Sequence, residues 1–212
     1  LHRRSMTTEE PTVFLVDDDD AVRDALGLLL ESVGLRTAAF AAAADFLDHY
    51  DPERPGCLVL DIRMPTMSGM ELQAALAEKS VNIPIIFLSG HGNVSMSAKA
   101  FRSGAVDFLE KPFDENILLE RIHEAMRLDR ANREAISRRT GARNRLASLT
   151  RREHEVMLLI ITGHANKEIA TKLDLSTRTV ETHRGRIMEK TGVQSLTELI
   201  EIALASGDHA LK

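Results

Sequence analysis

The sequence predicts an α/β domain with a five-stranded parallel sheet, followed by a smaller all-α domain. Short apolar segments alternate with amphipathic segments from residue 12 to about 128, and strand-like segments stop there. The charge also changes sign, since residues 1–126 hold 11 Lys and Arg against 21 Asp and Glu, and residues 127–212 hold 16 against 11. This asymmetry favours two domains with different partners, a divalent cation for the acidic part and nucleic acid for the basic part.

The elements of the first domain follow from its apolar periodicity. Gly34 and Gly104 follow the first and fourth amphipathic segments, where glycine commonly ends a helix. Asp20 is expected to be the N-cap of the first helix, and Arg23 to lie on the surface of that helix. The strands are expected at residues 12–16, 35–40, 57–60, 84–88 and 106–109, and the helices at 20–33, 42–50, 69–79, 94–103 and from 114 onward.

The fifth helix is expected to extend beyond the first domain. Residues 115–139 contain neither Gly nor Pro and are rich in good helix formers. Seven arginines lie between residues 127 and 145, and a break with a short flexible linker is expected at Thr140-Gly141. The resulting division of the chain is 11–128 for the first domain, 129–145 for a helical extension and linker, and 146–208 for the second domain.

Four helices are expected in the second domain. Thr150 and Glu153 have the spacing of a capping box and predict a helix start. Asp174 is expected in a turn, Ser176 as an N-cap, and Gly192 as the end of a helix. The three helices after the first are expected from Asn166 to about Leu173, from Ser176 to about Lys190, and over about 195–206.

Five polar residues stand at the downstream ends of strand-like segments in the first domain. They are Asp17, Asp18, Asp61, Ser89 and Lys111. In an open α/β sheet that edge is where ligands bind. Carboxylates there suit Mg²⁺, which usually keeps waters and phosphate oxygens in its shell. An amine and a hydroxyl beside the metal suit a phosphoryl group, so the set predicts a carboxylate that accepts phosphate.

The first domain resembles the receiver domain of two-component response regulators, a flavodoxin-like fold. The matching segments are Val16-Asp17-Asp18-Asp19, Leu60-Asp61-Ile62-Arg63-Met64-Pro65, Ser89-Gly90-His91-Gly92 and Glu110-Lys111-Pro112-Phe113. The resemblance implies that Asp61 takes a phosphoryl group from a phosphohistidine of a partner kinase. It also implies that Asp18, Asp61 and the main-chain oxygen of Arg63 bind Mg²⁺ directly, and that Asp17 acts through water.

The same resemblance implies a switch between two conformations. Lys111 would pair with one phosphoryl oxygen, Ser89 would bind another, and the bond before Pro112 would be cis. Phe108 matches the switch aromatic of receivers, although a buried strand residue would look the same in the sequence. Phosphate would draw Ser89 inward, Phe108 would rotate into the space, and the 94–128 face would dimerise.

The second domain resembles the LuxR/NarL-type DNA-binding domain, and the whole chain is similar to FixJ-type regulators. The matching segments are Leu149-Thr150-Arg151-Arg152-Glu153, Asn166-Lys167-Glu168-Ile169-Ala170 and Ser176-Thr177-Arg178-Thr179-Val180-Glu181-Thr182-His183. Periodicity assigns a core face to Ile169, Ala170, Leu173, Val180, His183, Ile187 and Met188. The candidate DNA contacts, to bases or to phosphates, are Lys167, Arg178, Thr182, Arg184, Arg186 and Lys190.

The sequence therefore predicts a transcription regulator that a sensor histidine kinase phosphorylates. We expect a homodimer that binds duplex promoter DNA, contacts RNA polymerase and activates transcription, with Mg²⁺ as the cofactor. It is expected not to be an enzyme beyond a slow self-dephosphorylation. The absence of a long apolar segment and the single Cys57, read as buried, predict a cytoplasmic location without membrane association.

Two other functions are compatible with parts of the pattern. The first is an Mg²⁺-dependent phosphatase or phosphotransfer enzyme whose basic half binds proteins. The second is a regulator that binds RNA or an anti-sigma-type protein. Binding to duplex DNA with a steep salt dependence would separate DNA binding from both of them.

Overall fold

The computed structural model describes residues 10–90, 98 and 100–207. The chain divides into two compact units between Asn132 and Arg133. Each unit has its own hydrophobic core, as expected for two small domains.

A five-stranded parallel sheet forms the centre of the first unit, which confirms the predicted fold class. The strand order is β2-β1-β3-β4-β5. The strands are β1 (Thr12–Val16), β2 (Arg36–Phe40), β3 (Gly56–Asp61), β4 (Ile85–Ser89) and β5 (Asp107–Glu110). The helices are α1 (Asp20–Ser32), α2 (Ala43–His49), α3 (Gly69–Glu78) and α4 (Glu115–Leu146). The predicted helix 94–103 lies largely outside the described residues, although 98 and 100–102 are helical.

Alternate strand residues point to opposite sides of the sheet, and a hydrophobic cluster covers each side. Phe14 lies in a core cluster on one side, and its neighbours Val13 and Leu15 lie in the cluster on the other side. Leu118 and Ile122 of α4 pack into that second cluster. The near-continuous apolar strands are those of a sheet buried on both faces.

The long helix α4 remains attached to the sheet beyond residue 128. Asp129 is buried and accepts a hydrogen bond from the Gly56 main-chain nitrogen at 3.0 Å. Burial and the nearby Asp129 charge raise the pKa of the Cys57 thiol to about 12. Cys57 is buried, as predicted, and its thiol is un-ionised at neutral pH.

The predicted break at Thr140-Gly141 is wrong, because α4 continues without interruption to Leu146. A helical glycine costs about 1 kcal/mol relative to alanine, which is a modest penalty. Ala142 and Leu146, one helical turn apart, are both buried in the second unit. Their packing offsets the glycine penalty and keeps the segment helical.

Four further helices complete the second unit, close to the predicted bounds. They are α5 (Arg151–Ile161), α6 (Asn166–Leu173), α7 (Thr177–Thr191) and α8 (Leu196–Ser206). The capping box of Thr150 and Glu153 is present, and Ser176 caps α7. Asp174 has a left-handed φ of 53°, and Gly192 ends α7 with a φ of 68°.

The predicted core face of α6 and α7 is largely confirmed. Ile169, Ala170, Val180 and Ile187 are buried, and Leu173, His183 and Met188 are partly buried. Within the part of the chain that the structure describes, no helix is both long and apolar enough to cross a membrane.

Candidate functional site

The carboxyl edge of the sheet gathers three of the predicted site residues into direct contact. Asp17 follows β1, Asp61 ends β3, and Lys111 follows β5. The Lys111 Nζ lies 2.7 Å from Asp17 Oδ2 and 2.8 Å from Asp61 Oδ1. Because parallel strands end at the same edge, residues 94 and 50 positions apart from Lys111 meet there.

The acidic loop after β1 is folded by its own carboxylates. Asp17 is buried, and its Oδ1 accepts the Asp19 main-chain N–H at 3.0 Å. Asp19 in turn caps α1 by accepting from the Ala21 main-chain nitrogen at 2.9 Å. The prediction that Asp20 is the N-cap is therefore wrong by one residue. Asp18, between the two, is exposed and available to a ligand.

Arg23 belongs to this site, although the sequence placed it on the helix surface. Its side chain is only 14% exposed, and its Nη1 donates to the Asp17 main-chain oxygen at 2.6 Å. The other Nη pairs with Asp20. The spacing of Arg23 one turn into α1 was the only signal for this role, and any surface arginine would share it.

The loop after β3 holds the Asp61 carboxylate and is itself tied to the start of α3. The Arg63 main-chain nitrogen donates to Asp61 Oδ2 at 2.6 Å, and Gly69 donates to the Ile62 main-chain oxygen at 3.0 Å. A Cβ at residue 69 would collide with the main-chain oxygen of Asp61. The close approach of α3 to the site thus requires glycine at its first position.

The charges of the site do not balance. Burial raises the pKa of Asp61 above the usual carboxyl range, and the neighbouring Asp17 raises it further, against the opposing effect of Lys111. Burial acts against the Lys111 ammonium, yet its hydrogen bonds to Asp17 and Asp61 raise the Lys111 pKa overall. One ammonium therefore faces the carboxylates of Asp17 and Asp61, with Asp18 beside them in sequence.

This donor set suits a hard divalent cation that keeps part of its water shell when it binds to the protein. Among the described residues, no three His, Cys, Asp or Glu side chains converge into a ready-made metal cage. Mg²⁺ does not need one, since it is usually held by one or two carboxylates together with waters and phosphate oxygens. The uncompensated negative charge at Asp61 is what such a cation would neutralise.

The other predicted residues of the first unit lie on neighbouring strands. Ser89 is buried at the end of β4, and its main-chain oxygen accepts a hydrogen bond from the Lys111 main-chain N–H at 2.7 Å. Phe108 in β5 is partly buried and packs against the core cluster that contains Phe87. The Lys111–Pro112 bond is cis, as the resemblance implied.

A second candidate site is the polar surface of α7, preceded by α6 and a tight turn. Arg178, Thr182 and Arg186 recur every four residues, so they share one face of the helix, and all three are exposed. The Thr182 hydroxyl donates to the Arg178 main-chain oxygen at 3.0 Å. Lys167 is exposed near the start of α6. These positions suit contact with a polyanion.

Arg184 and Lys190 are placed differently from the other predicted DNA contacts. Arg184 is partly buried and lines a shallow cavity with Ile160, Leu196 and Leu199. The Lys190 Nζ lies 2.7 Å from Glu153 Oε2, and only 3% of the Glu153 side chain is exposed. Lys190 is thus already paired within the domain.

Two family models match the chain, one over each domain. Residues 13–123 match the response regulator receiver domain, and residues 147–203 match the luxR family of bacterial regulatory proteins. The response regulator protein TmoT of Ectopseudomonas mendocina is 42% identical, covering 95% of this chain and 92% of that protein. The transcriptional regulatory protein FixJ of Rhizobium meliloti is 41% identical, covering 92% and 96%.

Two solved structures extend the likeness to three dimensions. The response regulator StyR has a TM-score of 0.85 and 44% identity, with 92% of this chain and 98% of that chain covered. Full-length FixJ of B. japonicum has a TM-score of 0.57 and 37% identity, with 94% and 98% covered. The chain therefore belongs to the two-component response regulators that join a receiver domain to a LuxR-family DNA-binding domain, and it is a transcription regulator.

Proposed function

We propose that Asp61 accepts a phosphoryl group from a phosphohistidine of a sensor kinase. The observation that carries the proposal is the contact of one ammonium, Lys111, with the carboxylates of both Asp17 and Asp61. Asp61 Oδ2 is fixed by the Arg63 nitrogen, so the carboxylate is held in one orientation. Phosphoryl transfer depends mainly on such positioning and on charge neutralisation.

In the proposed step, an oxygen of the Asp61 carboxylate forms a bond to phosphorus. The phosphorus–nitrogen bond of the phosphohistidine breaks, and the imidazole leaves with its electron pair. Lys111 would pair with one phosphoryl oxygen and the Ser89 hydroxyl would donate to another, matching their places at the ends of neighbouring strands. The transferred group thereby meets donors already arranged around it.

Mg²⁺, held by Asp18, Asp61 and the Arg63 main-chain oxygen, with Asp17 acting through water, would supply the remaining positive charge. The raised pKa of Asp61 supports this role, because the carboxylate is under-compensated without a cation. Slow self-dephosphorylation, in which water attacks the acyl phosphate, would return Asp61 to its free carboxylate.

Phosphorylation would act on the second domain through dimerisation. Ser89 would move toward the phosphate, and Phe108 would turn into the space that this leaves. The 94–128 face would then form the homodimer contact, although part of this face lies outside the described residues. The dimer would place two copies of α7 on duplex promoter DNA, with Lys167, Arg178, Thr182 and Arg186 as the best exposed contacts, and would activate RNA polymerase.

The direct test is to treat the protein with acetyl phosphate and Mg²⁺ and to measure intact mass and sedimentation. We expect one phosphoryl adduct and a shift towards dimer, both abolished by Asp61→Asn and by a chelator. The matched control is Asp48→Asn, which changes an exposed carboxylate on α2. Normal labelling of Asp61→Asn would contradict the acceptor assignment, and a labelled protein that stays monomeric would contradict the dimerisation step.

A further inference from the structure

The Glu153 carboxylate of the DNA-binding domain accepts three hydrogen bonds. Its Oε2 accepts the Thr150 main-chain N–H at 2.8 Å, and Thr150 Oγ1 accepts the Glu153 main-chain N–H at 3.3 Å, which are the two reciprocal bonds of the α5 capping box. The same Oε2 also accepts the Thr150 hydroxyl at 2.9 Å. The same oxygen accepts a third hydrogen bond, from Lys190 Nζ at 2.7 Å. A capping box needs only the two reciprocal bonds between Thr150 and Glu153, so the Lys190 contact is additional to it.

Lys190 connects this capping box to the helix that carries the candidate DNA contacts. It lies in the last turn of α7, 37 residues from Glu153 in sequence. The Lys190 side chain is 35% exposed and the Glu153 side chain 3%, so the pair is shielded mainly on the carboxylate side. A phosphate that drew Lys190 away from Glu153 would leave a buried carboxylate without its cation, which is costly.

The residue before Glu153 makes a parallel contact with the other helix of the motif. Arg152 donates to the main-chain oxygen of Leu173, at the C-terminal end of α6, and pairs with Glu155 at 2.7 Å. Two consecutive residues of α5 thus hold the C-terminal ends of both α6 and α7. The crossing of these two helices sets how α7 is presented to DNA.

We propose that Glu153 and Lys190 form a positioning clasp that orients α7 for base reading, and that Lys190 makes no phosphate contact. This inference replaces the sequence-based expectation for Lys190 and rests on DNA binding through α7. Lys167 is the natural comparison, because it is an exposed cation of the same domain. A phosphate contact and a positioning residue differ in salt dependence, since only the contact releases counterions.

The test uses the full chain after treatment with acetyl phosphate and Mg²⁺. It measures, over a salt series, the affinity for a duplex obtained by selection with this protein and for a scrambled duplex. Lys167→Met should weaken both duplexes alike and flatten the salt slope by about 0.9 per subunit, or about 1.8 for the dimer. Lys190→Met should leave the slope unchanged and weaken the selected duplex at least about tenfold, with little effect on the scrambled one. Lys190→Arg should recover most of the selectivity. A slope flattened like that of Lys167→Met would overturn the proposal.

Glu153→Gln provides the second arm, because glutamine preserves the capping box. If only charge mattered, removing a negative charge would tighten binding to DNA. The clasp predicts the opposite, a loss of selectivity like that of Lys190→Met, and tighter binding would refute it.

A thermal-unfolding cycle of Glu153→Gln, Lys190→Met and the double variant needs no DNA. If the two residues form the clasp, the double variant should melt no lower than the less stable of the two single variants. Losses of stability that add in the double variant would refute the coupling. Failure of the wild-type chain to bind duplex would count against the proposed function, while this cycle would still decide whether the clasp exists.

Discussion

The two domains each contain a lysine ammonium against a buried carboxylate, yet the two pairs have opposite electrostatic outcomes. In the receiver domain Lys111 lies 2.8 Å from Asp61, and the pKa of Asp61 is raised by burial and by Asp17. In the DNA-binding domain Lys190 lies 2.7 Å from Glu153, and the pKa of Glu153 is lowered to about 2. The distances are nearly equal, so the difference comes from the surroundings.

The surroundings differ in how many donors serve each carboxylate. Hydrogen bonds from Lys190 and from the Thr150 main chain, followed by the Thr150 hydroxyl, lower the Glu153 pKa despite its burial. Asp61 shares its single ammonium with Asp17 and is left with excess negative charge. A satisfied pair stabilises a fold, whereas an unsatisfied pair is ready for a cation and a phosphoryl group.

The largest expected effect is on stability, in the satisfied pair. Glu153→Gln should lower the free energy of unfolding of the second domain at neutral pH by about 2 kcal/mol, below the full cost of a buried pair because Lys190 is partly exposed. The Glu153 pKa is lowered in the folded state, so its contribution is present above the unfolded pKa of about 4.3. The difference between the proteins should shrink as pH falls from there towards about 2.

The measurement is calorimetric melting over a pH series, with Glu155→Gln as the matched control. Glu155 is also paired with arginines, but it is more exposed, so its loss should cost clearly less than the loss of Glu153. Equal losses of unfolding free energy in the two variants would mean that Glu153 and Lys190 contribute no more than an ordinary surface ion pair.

The unsatisfied pair should respond to a divalent cation. Mg²⁺ at ten times its dissociation constant should stabilise the receiver domain by about 1.4 kcal/mol through mass action. Asp61→Asn should lose most of this gain, and Glu153→Gln should keep it. A melting temperature of the wild-type receiver transition that is indifferent to Mg²⁺ would be evidence against the metal site.

Asp61→Asn without any divalent cation should raise the stability of the receiver domain at neutral pH by about 1 kcal/mol, because Lys111 offsets most of the burial cost of the Asp61 charge and of its repulsion by Asp17. A carboxyl whose folded pKa is raised stabilises at low pH, and that contribution is lost as pH rises through the folded pKa. The advantage of the variant should therefore vanish in acid. Destabilisation at pH 7 would show that Lys111 fully compensates Asp61.

The smallest expected effect concerns Arg23, which acts on the site only through the Asp17 main-chain oxygen. Arg23→Met should loosen the acidic loop and weaken Mg²⁺ binding about threefold, a fraction of a charge-assisted hydrogen bond. Arg36→Met is the control, since Arg36 pairs with Glu10 in an exposed position. Titration calorimetry checks both, and equal affinities for the two variants would remove Arg23 from the site.

The sequence was sufficient to predict the fold and the meeting of Asp17, Asp61 and Lys111, because both depend on where the strands end. Asp17, Asp61 and Lys111 are placed by the sheet, and any parallel sheet brings such positions together. Asp19 and Asp20 could not be told apart as caps, because the choice depends on which N–H groups the loop after Asp17 presents. The predicted break at Thr140-Gly141 was wrong because the tertiary packing of Leu146 overrode the low helix propensity of glycine.

The partners of individual cations were the least predictable feature. Lys167 and Lys190 are equally polar positions on helices in the sequence, and only the packing of α5 against α7 shows that Lys190 is paired. Arg23 is the reverse case, a residue that periodicity places on the surface and the fold places in the site. The Lys190 pairing joins residues 37 positions apart, and the Arg23 contact depends on how the loop after β1 folds, so helical periodicity predicts neither.

The most direct test of the contrast between the two pairs is carboxyl-carbon NMR titration of the full chain, resolving Asp61 and Glu153 in one sample. We expect an Asp61 pKa above the usual carboxyl range that falls when Mg²⁺ is added, and a Glu153 pKa of about 2 that Mg²⁺ does not change. The result that would contradict it is a low Asp61 pKa that ignores Mg²⁺, because the receiver pair would then be as fully satisfied as the clasp.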